Sequence, residues 1–174
     1  FMFNHGLMNW LPALLEEGGL SEVDSGYWAA IPTVVGIAGS LLIPRLATPE
    51  RRYHILIALT LCAALASVLL QFSADLPRIT GLVMQGIARS SLMTVLILTL
   101  LELPAVGEKY AGVASGIFFT AAEVGGVLGP ISLGILYDVS GGFSAGLYLL
   151  SSISLLIAIS AMALKRTSTS AHNS

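Results

Sequence analysis

The chain has 174 residues, of which 55% are hydrophobic and only 10% charged, and its mean hydropathy is +0.86. No ordinary water-soluble domain of this size has such a composition, which specifies an integral membrane protein embedded in a lipid bilayer. The formal net charge of −2, with no basic stripe interleaved with aromatics, excludes a nucleic-acid partner.

Apolar runs near the roughly 17–25 residues that a helix needs to cross hydrocarbon predict an all-α fold of six transmembrane segments. In chain order they are Phe1–Leu15, Tyr27–Ala47, Tyr53–Phe72, Ile79–Leu101, Ala111–Tyr137 and Phe143–Leu164. The first is too short to span alone, and residues before Phe1 are expected to complete it. The loops are short and hold no soluble domain. Residues 165–174, small and polar beyond Lys165 and Arg166, are expected to form a disordered cytoplasmic tail.

Arg45, Arg51, Arg52, Lys109, Lys165 and Arg166 fall on one side of this arrangement and only Arg78 on the other. Short cytoplasmic loops carry the excess of Lys and Arg, so both ends of the segment are expected in the cytoplasm, for instance of a bacterial inner membrane. Tyr27, Trp28, Tyr53 and Tyr137 stand near segment ends, as interfacial aromatics do.

Helices in lipid approach closely through small residues. In the fifth segment Gly112 and Gly116, Ala122 and Gly126, and Gly125 and Gly129 are each four apart, which predicts tight packing along its faces. Pro130 after Gly129 removes one backbone donor and invites a kink, as do Pro32 and Gly36 in the second segment. The third and sixth segments lack central charges and read as lipid-facing or peripheral; the first, fourth and fifth hold the awkward polar groups. That polarity pattern matches an inverted repeat of three plus three helices.

Several strings together resemble the C-terminal half of a major facilitator superfamily transporter, over essentially the whole chain. The run Gly125-Gly126-Val127-Leu128-Gly129-Pro130, continuing through Gly134 to Tyr137-Asp138 and Gly141-Gly142-Phe143, is similar to the eleventh helix of that family and its following turn. Gln85-Gly86 with Arg89 resembles its tenth helix. Gly39 through Pro44-Arg45 to Arg51-Arg52 resembles the basic loop after the second helix of a half, with Pro44 where an acidic residue is common. Asn9 to Leu15, followed by an acidic loop, is similar to the seventh helix of the cyanate and nitroimidazole transporter-like branch. The resemblance implies alternating-access secondary transport of a small, often anionic, organic solute, proton- or ion-coupled or facilitated, with the N-terminal six-helix half lying outside this sequence.

Arg89 is the most informative residue. A charge at the centre of a bilayer costs roughly 2.5–3.5 kcal/mol on insertion scales, so such residues face a protein or watery interior. Gln85, four residues earlier on the same face, adds an amide to the guanidinium fork, and the two together suit a planar anion. Glu123 is mid-segment too, either a proton carrier or an ion-pair partner of Arg89 that locks two helices. His5 and Asn9, four apart, offer hydrogen bonds to a solute, and Trp10 a ring to cap it. Asn4 is assigned to hydrogen bonding between helices.

Gly125, Gly126, Gly129 and Pro130 are assigned to helix packing and gating. There is no phosphate-cradling glycine loop, no metal-ligand histidine pair and no cysteine pair, so neither an enzyme nor a cofactor or metal site is expected. His54 and His172 have no evident partner in the sequence. The rival reading is a complete six-helix structural or partner-binding module, in which the charges only lock helices together.

Overall fold

The computed structural model describes the backbone of residues 1–103 and 106–172, with side chains up to residue 165. Its helices, in chain order, are α1 (Met2–Glu17), α2 (Glu22–Leu46), α3 (Arg52–Leu69), α4 (Asp75–Leu101), α5 (Gly107–Ser140) and α6 (Ser144–His172). Among the described residues five helices, α2 to α6, are long and apolar enough to cross a membrane, and no strand is present.

Hydropathy finds the part of each helix that suits hydrocarbon, and α2, α4, α5 and α6 extend beyond it at one end or both, whereas α3 stops at Leu69, short of the expected Phe72. At α2 the Ser21 hydroxyl accepts from the Asp24 backbone N–H at 3.1 Å, so a polar first turn precedes the apolar run. Pro77 is accommodated in the first turn of α4, where a missing N–H costs nothing. Helix α5 ends at Gly141, whose φ of +73° lies in the left-handed region that favours glycine. Helix α6 continues through His172 with no Gly or Pro to stop it, so most of the segment expected as a disordered tail is helical. The side chains of Arg166 and His172, and residues 173–174, lie outside the described residues.

The packing repeats itself. Helix α1 packs on α5 as α4 packs on α2, and α1 touches α2 as α4 touches α5. Both main crossings are made by glycine. A β-carbon at Gly129 of α5 would sit 2.5 Å from the Met2 carbonyl oxygen of α1, and one at Gly86 of α4 would sit 2.5 Å from the Pro32 carbonyl oxygen of α2. Only a hydrogen side chain lets these backbones meet. Gly125 and Gly126 also lie on the α1 side of α5, within ordinary contact of Met2 and His5.

Other glycines do not behave as their spacing suggested. Around Gly112 and Gly116 an added β-carbon would meet nothing within 4 Å, so that stretch of α5 is not packed within this chain. Helix α5 buries only Gly126, Gly129 and Leu133. Conversely α3, expected at the periphery, buries Leu56, Leu59, Thr60, Ala63, Ala64, Ala66 and Ser67 against α4 and α6. A helix without charges suits dense apolar packing as well as it suits lipid.

The ends of the bundle are stitched by charge. Arg52 is 6% exposed; it pairs with Glu102 and donates to the backbone oxygens of Leu98 (3.1 Å) and Ala47 (3.3 Å). His54 Nε2 lies 2.7 Å from Lys165 Nζ at the same end, so this histidine has a partner after all. At the opposite end Arg78 is 4% exposed, with its guanidinium 5.6 Å from the ring centre of Trp28.

Candidate functional site

Helix α4 carries Arg89 half-buried beside α1, where its Nη2 donates to Met8 Sδ at 3.3 Å. A thioether is a weak acceptor, so this contact positions the guanidinium without neutralising it. Arg89 and Glu123 do not form an ion pair; among the described residues the pairs are Arg52–Glu102 and Arg78–Asp75. The interhelical lock that the sequence offered as one role for Arg89 is therefore not made.

Two cavities meet at Arg89. One, of about 260 Å³, lies between α1, α2 and α4 and is lined by Asn4, Thr33, Gly36, Ser40, Arg89 and Ser90 among others. Its floor is where Gly36 and Gly86 let α2 and α4 approach. The second, of about 430 Å³, lies between the first turn of α1 and α3 to α6. Its lining is mainly apolar, including Phe3, Met93 and Phe118, with Asn4 and Arg89 among its few polar groups.

The sequence-predicted residues separate into three places. Arg89 stands at the two cavities. Gln85 does not join it: the residue is 0% exposed, lines neither cavity, and its amide nitrogen and oxygen have no hydrogen-bond partner. Spacing of four gives a shared face, but only packing decides depth, and here the next turn of α4 sinks between its neighbours.

His5 and Glu123 come together instead. A β-carbon at Gly126 would lie 3.6 Å from His5 Cδ2 and 3.7 Å from Glu123 Oε2, so the two side chains flank this glycine at the α1–α5 crossing. His5 stacks on Phe1 with ring centres 5.4 Å apart. Glu123 is exposed on α5.

Asn9 and Trp10 lie farther along α1, beside an open hollow bounded by Pro130, Gly134 and Asp138. Asn9 is exposed and donates to the His5 carbonyl within its own helix at 2.8 Å. The Trp10 indole N–H donates to the Pro130 carbonyl at 2.9 Å, and its ring stacks on Tyr137 and packs against Phe143. Pro130 and Trp10 thus join α5 to α1, and the polar end of Trp10 is engaged in packing.

Asn4, assigned from sequence to helix-to-helix hydrogen bonding, has its side-chain oxygen buried without a partner at both cavities. Thr33 and Ser40 were not singled out by the sequence reading. Their signal is a helical stripe: Thr33, Gly36, Ile37 and Ser40 fall three, four and seven residues apart along one face of α2. No group of three or more His, Cys, Asp or Glu that could hold a metal occurs among the described residues.

Known proteins are similar to this chain in sequence. The quinolone resistance transporter of Acinetobacter baumannii is 32% identical over 158 residues, covering 87% of this chain and 35% of that protein. Two putative tartrate transporters of Agrobacterium vitis are 26% and 32% identical over 175 residues, covering 91% of this chain and 35% and 36% of their own lengths. The chain thus spans about a third of the length of the curated relatives it matches. No solved structure matches it. The family model of the Major Facilitator Superfamily matches residues 1–174, the whole of the chain. By that match the chain belongs to the Major Facilitator Superfamily and is an integral, multi-pass membrane protein.

Proposed function

We propose that this chain is the C-terminal half of a carrier that moves a small anionic organic solute across a membrane by alternating access, with Arg89 as the anion anchor. The observation that carries the reading is a guanidinium held among membrane helices, at two cavities, with a thioether as its hydrogen-bond partner and, among the described residues, no carboxylate in ion-pair reach. An intramembrane charge left uncompensated is a functional group by default. The relatives' names, for quinolone resistance and for tartrate, support transport as the activity. A purely structural module would use Arg89 to lock helices, and it is not so used.

In this reading a partner six-helix half closes the site from the other side, and the exposed apolar faces of α2 and α5 meet that half or lipid. The carrier resides in a bacterial inner membrane with both ends of this segment in the cytoplasm, which the basic residues Arg45, Arg51 and Lys109 at one end of the bundle support. Glu123, with His5 across Gly126, supplies a proton site separate from the anion anchor.

The test is uptake of candidate organic anions by the complete carrier in proteoliposomes. Arg89→Ala is expected to abolish uptake and Arg89→Lys to keep part of it, since a point charge replaces the fork. An Arg89→Ala carrier that is inserted and still takes up an anion at the original rate refutes the anchor. A Glu123→Gln carrier that keeps its full pH dependence refutes the proton site.

A further inference from the structure

Arg89 is held by a side chain that can be oxidised. Its Nη2 lies 3.3 Å from Met8 Sδ, and Met8 is 54% exposed, the most exposed of the five methionines in the chain. Met2, Met84 and Met93 are half-buried, and Met162 is 41% exposed. Met8 stands one turn beyond Asn4 on α1, and Asn4 and Arg89 line both cavities. A small oxidant that enters by the route of the solute therefore arrives beside this sulfur. The sulfur has two lone pairs and Arg89 engages one of them, which leaves the other to react.

Resting on the anion reading above, we propose that Met8 is a redox modification site whose sulfoxide occupies the Arg89 guanidinium and lowers the affinity of the carrier for its anionic solute. The step is a two-electron oxygen transfer from a peroxide. The sulfur lone pair attacks one peroxide oxygen, the S–O bond forms as the O–O bond breaks, and the departing oxygen takes the proton of the transferred one and leaves as water. Sulfur is oxidised, the peroxide is reduced, and the side chain stays neutral. What changes is the acceptor: a thioether accepts weakly, whereas the polar sulfoxide oxygen forms a strong bond with a charged donor. The unbranched Met8 side chain has three rotatable bonds with which to turn that oxygen onto the guanidinium its sulfur already reaches. A carboxylate arriving at Arg89 then finds one arm of the fork taken and forms one bond in place of two. Methionine sulfoxide reductases restore the thioether, so the block is reversible.

The test exposes proteoliposomes of the complete carrier to hydrogen peroxide. Peptide mass spectrometry reads both the oxidation of Met8 and the rate at which phenylglyoxal modifies Arg89. Oxidation of Met8 is expected to slow that modification severalfold, and treatment with the two epimer-specific reductases to restore it. With succinate as the transported probe, KM is expected to rise by about tenfold, the worth of one hydrogen bond from a charged donor. Met8→Leu, compared with itself before and after peroxide, should show neither change. Met8→Gln, whose amide oxygen imitates the sulfoxide, should show slow modification of Arg89 without any peroxide.

The redox site is overturned if Met8 stays unoxidised while the other methionines react, if Arg89 is modified equally fast with Met8 oxidised, or if peroxide weakens succinate uptake as much in Met8→Leu as in the parent. Each of these outcomes stands even while Arg89→Ala abolishes uptake. Undiminished succinate uptake by Arg89→Ala instead overturns the anion reading on which the effect on the solute rests. No succinate uptake by the unsubstituted carrier overturns both.

Discussion

Arg78 Nη2 donates to the Gly18 carbonyl at 2.7 Å, joining the start of α4 to the C-terminal end of α1. The same nitrogen reaches the Ser73 carbonyl at 2.5 Å. The last carbonyls of a helix lack partners within it, so a cation placed there satisfies a backbone acceptor and the negative end of the helix dipole together. Trp28 of α2 lies beside the guanidinium, so three helices converge on this one side chain.

Replacing Arg78 by Met keeps the stem and removes every one of these bonds. The expected cost is about 2–4 kcal/mol, because hydrogen bonds from a charged donor are the strong ones and both carbonyl acceptors lose their donor. Arg78→Lys should fall between, as one ammonium cannot reproduce the planar fork. Denaturant or thermal unfolding in a fixed detergent measures the series, and equal stability of Arg78→Met and the parent would show the cluster to be idle.

At the other end, Arg52 and Glu102 are unequal partners. Glu102 is 48% exposed at its side chain, whereas Arg52 is 7% exposed and also serves the Leu98 and Ala47 carbonyls. Glu102→Ala should therefore cost about 1 kcal/mol or less, in the range of a solvent-screened pair. Arg52→Ala should cost clearly more, because two backbone acceptors also lose a donor. A double-mutant cycle on the unfolding midpoint separates the pair from those backbone bonds.

The glycine crossings give an opposed pair of outcomes within one helix. Gly129→Ala places a methyl group 2.5 Å from the Met2 carbonyl oxygen, so α1 and α5 must separate, at an expected cost of about 1–3 kcal/mol. Gly86→Ala should do the same to α2 and α4, where the atoms met are again backbone, those of Pro32. Gly116→Ala meets nothing in this chain and should leave its stability unchanged or raise it by up to about 1 kcal/mol through helix propensity. Equal effects at Gly116 and Gly129 would refute the crossing.

These contrasts mark what the sequence could say. Apolar runs pointed to six helices, five of them long enough to span, because hydrocarbon sets the length of a spanning helix. The glycine spacing in α5 was equally regular at Gly112 and Gly116 and at Gly125 and Gly129, yet only the second pair meets another backbone. Regular spacing identifies a face and not what covers it. Arg89 was legible because a charge in an apolar run is costly wherever it points. Gln85, Asn4 and Thr33 were not, since a neutral polar residue is unremarkable until its depth and neighbours are known. The run from Asn9 to Leu15, which carried the narrower family likeness, includes in Trp10 a side chain engaged with α5.

Trp10 is where binding and packing make separable predictions. Its N–H holds the Pro130 carbonyl at 2.9 Å, and its ring lies against Tyr137 and Phe143. Trp10→Phe keeps an aromatic ring and removes the donor, which should cost about 0.5–1.5 kcal/mol of stability, the net worth of one neutral hydrogen bond. If Trp10 acts through packing, the KM for the transported solute stays the same while the unfolding midpoint falls. A KM raised severalfold at unchanged stability would instead place the indole against the solute, since loss of binding without loss of packing has no other source at this position.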